Sequence, residues 1–188
     1  MKKLAVLLAA VLVAAPAFAG NTGIIKLSLW DNVAVALPNN TNHVTGVDLG
    51  IGSTTAKVDG VQLDLIYGEV GYLRGINSAW IIGKVNEGYG LNDAWIYTHS
   101  NKFFGIQGGF ININENRLGG LQAGAANIAR GSVTGVQLGI YNQVEDLHGL
   151  QLGIVNNAHH ISKGLQIGIV NIAKNGWFPV MVLVNGRF

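Results

Sequence analysis

The chain contains no cysteine. That excludes disulfides, thiolate metal sites and a cysteine nucleophile, and it excludes a lipoprotein anchor, which needs a cysteine at the cleavage site. Charge is scarce too. Only 12% of residues are Asp, Glu, Lys or Arg, against roughly 25% in ordinary soluble domains. The formal net charge of +2 is used up by Lys2 and Lys3, so the remainder is neutral. No basic stripe is present, which argues against a nucleic-acid partner. Beyond the first nineteen residues no stretch approaches the roughly 20 apolar residues that a membrane-spanning helix needs.

The N-terminus has the form of a secretory signal peptide over residues 1–19. Lys2 and Lys3 are its basic segment, Leu4 to Ala15 its apolar segment, and Pro16 breaks the run before Ala17-Phe18-Ala19. The small-x-small rule places cleavage between Ala19 and Gly20. Residues 20–188 are then expected to form a single exported β-repeat domain.

Glycine is abundant, with 27 residues, and it is periodic. Gly135-Val-Gln-Leu-Gly-Ile-Tyr-Asn142 recurs as Gly149-Leu-Gln-Leu-Gly-Ile-Val-Asn156 and as Gly164-Leu-Gln-Ile-Gly-Ile-Val-Asn171. Heading glycines continue backwards at Gly120, Gly105, Gly90, Gly75, Gly60 and Gly46, giving nine repeats of fourteen or fifteen residues. With the heading glycine as position n, n+2 is Asp48, Gln62, Asn77, Asn92, Gln107, Gln122, Gln137, Gln151 and Gln166 in turn. Position n+4 is mostly Gly or Ala, and n+1, n+3 and n+5 are mostly large and apolar. Such period-two alternation marks a β-strand with two unlike faces.

Charged residues (Lys57, Glu87, Lys102, Glu115, Arg130) and turn formers (Asn116, Gly131, Ser132) cluster between these segments. They predict short turns joining antiparallel strands, because parallel strands need a long crossover. The expected fold is all-β: an antiparallel meander closed into a β-barrel of roughly 10–12 strands. The aliphatic face would then meet lipid, with the amides Gln62, Asn77, Asn92, Gln107, Gln122, Gln137, Gln151 and Gln166 facing a narrow lumen. The alternative is a β-solenoid with one coil per repeat. Its interior would hold the n+1, n+3 and n+5 residues, and the size changes from Trp80 and Trp95 through Phe110 to Ala125 at n+5 count against that packing.

The chain closes on alternating Val180, Val182, Val184 and a terminal Phe188. This resembles the C-terminal signal of bacterial outer-membrane barrels, which implies outer-membrane lipid and, during biogenesis, the barrel-assembly machinery as partners. The repeat is similar to that of a family of Gram-negative surface-repeat proteins. Their pattern is Gly-(Leu/Val)-Gln-x-Gly-(Leu/Ile/Phe)-x-Asn with a Gly-Trp-x-Pro-Val-x-x-x-Val-Asn-x-x-Phe tail, matched by Gly135–Asn142, Gly149–Asn156, Gly164–Asn171 and Gly176–Phe188. That resemblance implies location and architecture and carries no activity.

Catalytic, metal and cofactor residues are not indicated. Adjacent His159 and His160 are poor joint ligands on a strand. Thr98-His99-Ser100 with Asp93 nearby supplies the residue types of a triad without any sign of convergence. The expectation is therefore a non-enzymatic outer-membrane barrel, structural or narrow-pore, of unknown ligand. Two alternatives remain: an exported surface solenoid that binds or adheres, and a small membrane-embedded barrel enzyme.

Overall fold

In the computed structural model, residues 21–30, 33–37 and 41–188 are described; the signal-like segment and the Ala19–Gly20 junction lie outside them. Seven strands form one sheet: β1 (Thr22–Trp30), β2 (Val33–Leu37), β3 (His43–Ala79), β4 (Ile82–Ala94), β5 (Tyr97–Gly108), β6 (Ile111–Ala173) and β7 (Val180–Arg187). Their order is β2-β1-β3-β4-β5-β6-β7.

The central pairings are parallel and step by one repeat. Gly75 lies opposite Gly90, Gly90 opposite Gly105, and Gly105 opposite Gly120. Main-chain bonds climb at the same interval: the Trp95 N–H donates to Trp80 O (3.2 Å) and the Phe110 N–H to Trp95 O (3.1 Å). The long strands β3 and β6 wrap through successive coils and stack on themselves. The chain is therefore a β-solenoid with one coil per repeat, which overturns the antiparallel barrel. Among the described residues the expected tight turns between repeats are absent, apart from the turn at residues 174–176 that leads into β7. Residues such as Lys102, Asn116 and Gly131 lie in strand on the other sides of the coil, and those sides are the long crossover that parallel pairing requires.

The heading glycine is dictated by the stacking. At Gly120 φ is +115°, a region that L-residues avoid. A Cβ there would lie 2.2 Å from Gly105 O, and the same clash, at 2.0 Å from Gly120 O, recurs at Gly135. One backbone rests directly on the next.

The interior is mixed. Apolar residues enter from two columns. Leu73, Phe103, Leu118 and Val133 come two residues before a heading glycine; Val144, Ala158 and Ala173 come nine after one. All are buried. The remaining interior is polar: mostly amides, with hydroxyls such as those of Thr98 and Ser100 and with Lys26, Asp48 and Asp64 in the first coils. The large aliphatic residues at n+1, n+3 and n+5 are outside: Leu138, Ile140, Ile154, Ile167 and Ile169 are all exposed. The solenoid alternative had placed them inside. A coil of fifteen residues encloses too little space for three large side chains per rung, and it turns inward carbonyls at its corner that only polar side chains can satisfy.

Both ends are closed by antiparallel strands. β2 pairs antiparallel with β1, and β7 returns antiparallel across the last coil of β6. The tail is fastened where the Trp177 N–H donates to Gly186 O (3.0 Å) and the Ala173 N–H to Pro179 O (3.1 Å), while the Trp177 and Phe188 rings sit 5.9 Å apart. Val180, Val182 and Val184 thus belong to a capping strand, with Phe188 just past its end and all four side chains exposed, and the described residues form no barrel seam for them to close.

Candidate functional site: an apolar face outside an amide-braced coil

The eight amides expected in a lumen are fully buried in the filled interior of the coil. From Gln107 onward they form a ladder in which each Nε2 donates to the Oε1 one rung below: Gln122 to Gln107 (3.4 Å), Gln137 to Gln122 (2.8 Å), Gln151 to Gln137 (2.7 Å) and Gln166 to Gln151 (2.7 Å). Gln137 Nε2 also donates to Gln143 O (3.1 Å), bracing its own coil across a corner. In the first coils the pattern changes: Asn77 Nδ2 donates upward to Asn92 Oδ1 (3.0 Å), and Gln62 Nε2 turns to Asp64 Oδ2 (2.9 Å).

A second ladder stands at n+7 and points the opposite way. Asn112 donates to Asn127, Asn127 to Asn142, Asn142 to Asn156 and Asn156 to Asn171, each at 2.8 Å. Each of these side chains also donates to a main-chain carbonyl of the next coil, as Asn127 does to Leu138 O (2.8 Å). Position n+4 must be small because the Asn amide occupies that space: a Cβ on Gly139 would lie 2.5 Å from Asn127 Nδ2. The glutamine and glycine signals are therefore structural.

The first coils carry charge inside. Lys26 Nζ donates to Thr54 O (2.8 Å) and Thr55 Oγ1 (2.7 Å) and lies 3.6 Å from Asp48 Oδ2. Asp48 in turn accepts from Ser53 (2.7 Å) and Thr55 (2.6 Å). Asp64 stands at an n+4 position that is elsewhere Gly or Ala. Burial pushes its carboxyl up to about 7, opposed by the Gln62 hydrogen bond and reinforced by Asp48.

No catalytic arrangement forms at the triad-like residues. Thr98 and Ser100 point inward, fully buried, and Ser100 donates to Gln107 Oε1 (3.1 Å). His99 points outward to Glu115 (3.1 Å), and Asp93 is within bonding range of Ser78 (3.4 Å). His159 and His160 are both exposed, beside Lys174 and Asn175 respectively. Among the described residues no three His, Cys, Asp or Glu side chains gather as metal ligands.

Outside the coil, one surface differs from the rest. Most charges sit on the other sides, and several pair with the adjacent rung: Lys102 with Glu87 (3.0 Å) and Arg130 with Glu115 (2.9 Å). The n+1 to n+5 surface is nearly free of charge and carries Leu49, Leu63, Ile76, Ile106, Leu138 and Ile167, all exposed. At its edge Trp80 and Trp95 stack with centroids 6.3 Å apart, and Trp95 is 78% exposed. Both caps extend it, since Leu27 on β1 aligns with Leu49 and with Val35 on β2, and Val184 on β7 aligns with Ile167. The twelve rungs span roughly 50 Å at about 4.8 Å each, and the face is about 15 Å wide, giving some 800 Å² in all. Patches on ordinary monomers reach about 300–600 Å² and are often functional at that size.

Sequence reasoning missed the column two residues before each heading glycine (Leu73, Phe103, Leu118, Val133). The signal was present, because n−2 continues the inward phase of n and n+2. They fall in the stretches between repeats, where the charged and turn-forming residues predict short turns.

Comparison with known proteins adds no relative: no family model matches the chain, and no curated protein and no solved structure matches it. Fold and site define a capped β-solenoid with one apolar flank.

Proposed function

We propose that the chain is an exported, non-enzymatic surface solenoid that works by binding through its apolar flank. The observation that carries this reading is the continuous exposed face of aliphatic and aromatic residues, held on a rigid hydrogen-bonded scaffold. Leaving some 800 Å² of apolar surface in water is unfavourable by roughly 25 cal/mol per Å², so a partner gains by covering it. The signal-like N-terminus and the similarity to surface-repeat proteins support export and a surface location. Divergence of Thr98 and Ser100 from His99 supports a role without catalysis.

The test is to place charge on the face without disturbing the coil. Leu138→Lys together with Ile154→Lys should keep the β-sheet circular dichroism and lower retention on an apolar matrix severalfold. Lys102→Glu, on another side, should leave retention unchanged. Equal retention of all three proteins would remove the reading. Export is checked separately by fractionation and N-terminal sequencing, with Gly20 expected as the first residue.

A further inference from the structure

We infer that the occupant of the apolar face is a second copy of this chain, docked face to face about a two-fold axis at the fifth repeat. The inference rests on the binding reading above and names its partner.

Four observations point to a second copy. The first is size. A face of about 800 Å² equals what each partner buries in a stable protein interface. The second is continuity. Leu27 and Val35 at one end and Val184 at the other align with Leu49 and Ile167, so the strands at both ends prolong the flank as one surface.

The third is relief. The nine n+5 residues run Ile51, Leu65, Trp80, Trp95, Phe110, Ala125, Ile140, Ile154, Ile169. Trp95 in the fourth repeat is a protrusion. Ala125 in the sixth is a recess by the smallness of its side chain between Phe110 and Ile140, and it stands beside a shallow depression of about 490 Å³ that runs over the seventh and eighth repeats, lined by Ala123, Leu138, Ile140, Leu152 and Ile154. A two-fold axis parallel to the strands, passing through the fifth repeat, sets the fourth rung of one copy against the sixth of the other. Trp95 of each copy then enters the recess at Ala125 of its mate, while Phe110 meets its own equivalent. This is the self-complementarity that an isologous interface requires. Sheets stacked about 10 Å apart leave room for interdigitated side chains.

The fourth is charge. Anionic bilayers recruit proteins through basic clusters. Here Lys102 and Arg130 on the other sides are paired with acids one rung away, and the basic residues at the edge of the flank are few: Arg74, paired with Asp59 (3.6 Å), and Lys163 beside His148. The carboxylate on this face, Asp93, lies one rung from the proposed axis and bonds Ser78 (3.4 Å). It would be costly against lipid, whereas against protein it can keep that hydrogen bond.

Sedimentation equilibrium of the full exported chain tests the proposal. The expected result is twice the monomer mass at micromolar concentration. Ala125→Trp sets protrusion against protrusion and should weaken association at least tenfold with the β-sheet spectrum intact. Adding Trp95→Ala in the same chain moves the protrusion across the axis and should restore most of the loss. Because the chain has no cysteine, Ile106→Cys, on the axial rung, gives a unique probe. It should cross-link to itself with a short bis-maleimide, whereas Leu49→Cys should cross-link only when mixed with Ile167→Cys. A dimer unaffected by Ala125→Trp would overturn this interface. A monomer that binds zwitterionic vesicles through the same residues would overturn the second copy and leave the binding face standing. A monomer that binds neither would overturn both.

Discussion

The C-terminal coils and the N-terminal coils solve the same problem differently. From Gln107 to Asn171 the interior polar positions are Gln over Gln and Asn over Asn, two uncharged ladders of opposite sense. From Lys26 to Asp64 the same space holds an ammonium, the carboxylate of Asp48, the carboxyl of Asp64 and a set of hydroxyls. An amide both donates and accepts, so one residue type repeated at a fixed spacing satisfies every rung. A carboxylate only accepts, so its neighbours must be donors and regularity is lost. The ordered end is self-templating up to its last rung, where Gln166 Oε1 has no further amide to accept from, and within it Asn114 Oδ1 is also unpartnered; the charged end depends on one particular network, with Gln62 Oε1, Asp64 Oδ1 and Asn77 Oδ1 left without partners.

The comparison can be broken hardest at the heading glycines. Gly120→Ala forces a Cβ to within 2.2 Å of the Gly105 carbonyl at φ +115°. It should cost about 4 kcal/mol or more by denaturant unfolding and lower the m-value if the two halves come apart. A loss below about 1 kcal/mol would mean that the coils are not stacked backbone on backbone.

The ladders come next. Gln137→Leu leaves Gln122 Oε1, Gln143 O and Gln151 Nε2 unpaired, at about 3 kcal/mol. Gln62→Leu removes bonds to Ser53 O and Asp64 only, and should cost about half as much. Equal losses would erase the distinction between the two ends.

The charged end should also respond to pH where the ladders do not. Asp64 holds its proton up to about pH 7 when folded, well above the value of an unfolded carboxyl, so the folded state binds more protons between those limits. Its contribution to stability is complete below the unfolded value and is lost as pH rises through about 7. Asp64→Asn should therefore raise the melting temperature by a few degrees at pH 8, leave it unchanged at pH 4, and flatten the slope between. A parallel shift at both pH values would assign the effect to packing. Smallest of all, Lys102→Ala removes an exposed ion pair with Glu87 and should change stability by less than about 0.5 kcal/mol.

Much of this architecture was legible in the sequence. The repeat, its length, the inward amide and the outward aliphatic triplet all follow from Gly135–Asn142 and its copies, because period-two alternation reports faces directly. Closure did not follow. A two-faced strand is compatible with a barrel or a coil, and what separates them is whether Gly120 lies beside Gly105 or far from it. Residues such as Leu118 and Val133 carried that information, but among charged and turn-forming neighbours they read as linkers. The caps were obscured for a related reason: Val180 to Phe188 has the same alternation whether it seals a barrel or covers the end of a solenoid. The amides illustrate a different limit. Their hydrogen-bond partners are the equivalent residues of adjacent rungs, so their role is visible only once the rungs are stacked.

Electron–electron distances between spin labels at n+5 positions test the stacking most directly. Labels at 80 and 140 are four rungs apart, at 80 and 169 six, and at 51 and 169 eight, measured in a background of unlabelled protein. The solenoid requires distances that rise in proportion, roughly 19, 29 and 38 Å at about 4.8 Å per rung. A distance between 51 and 169 shorter than that between 80 and 140 would show the first and last strands meeting around a closed sheet, and would contradict the stacked coil.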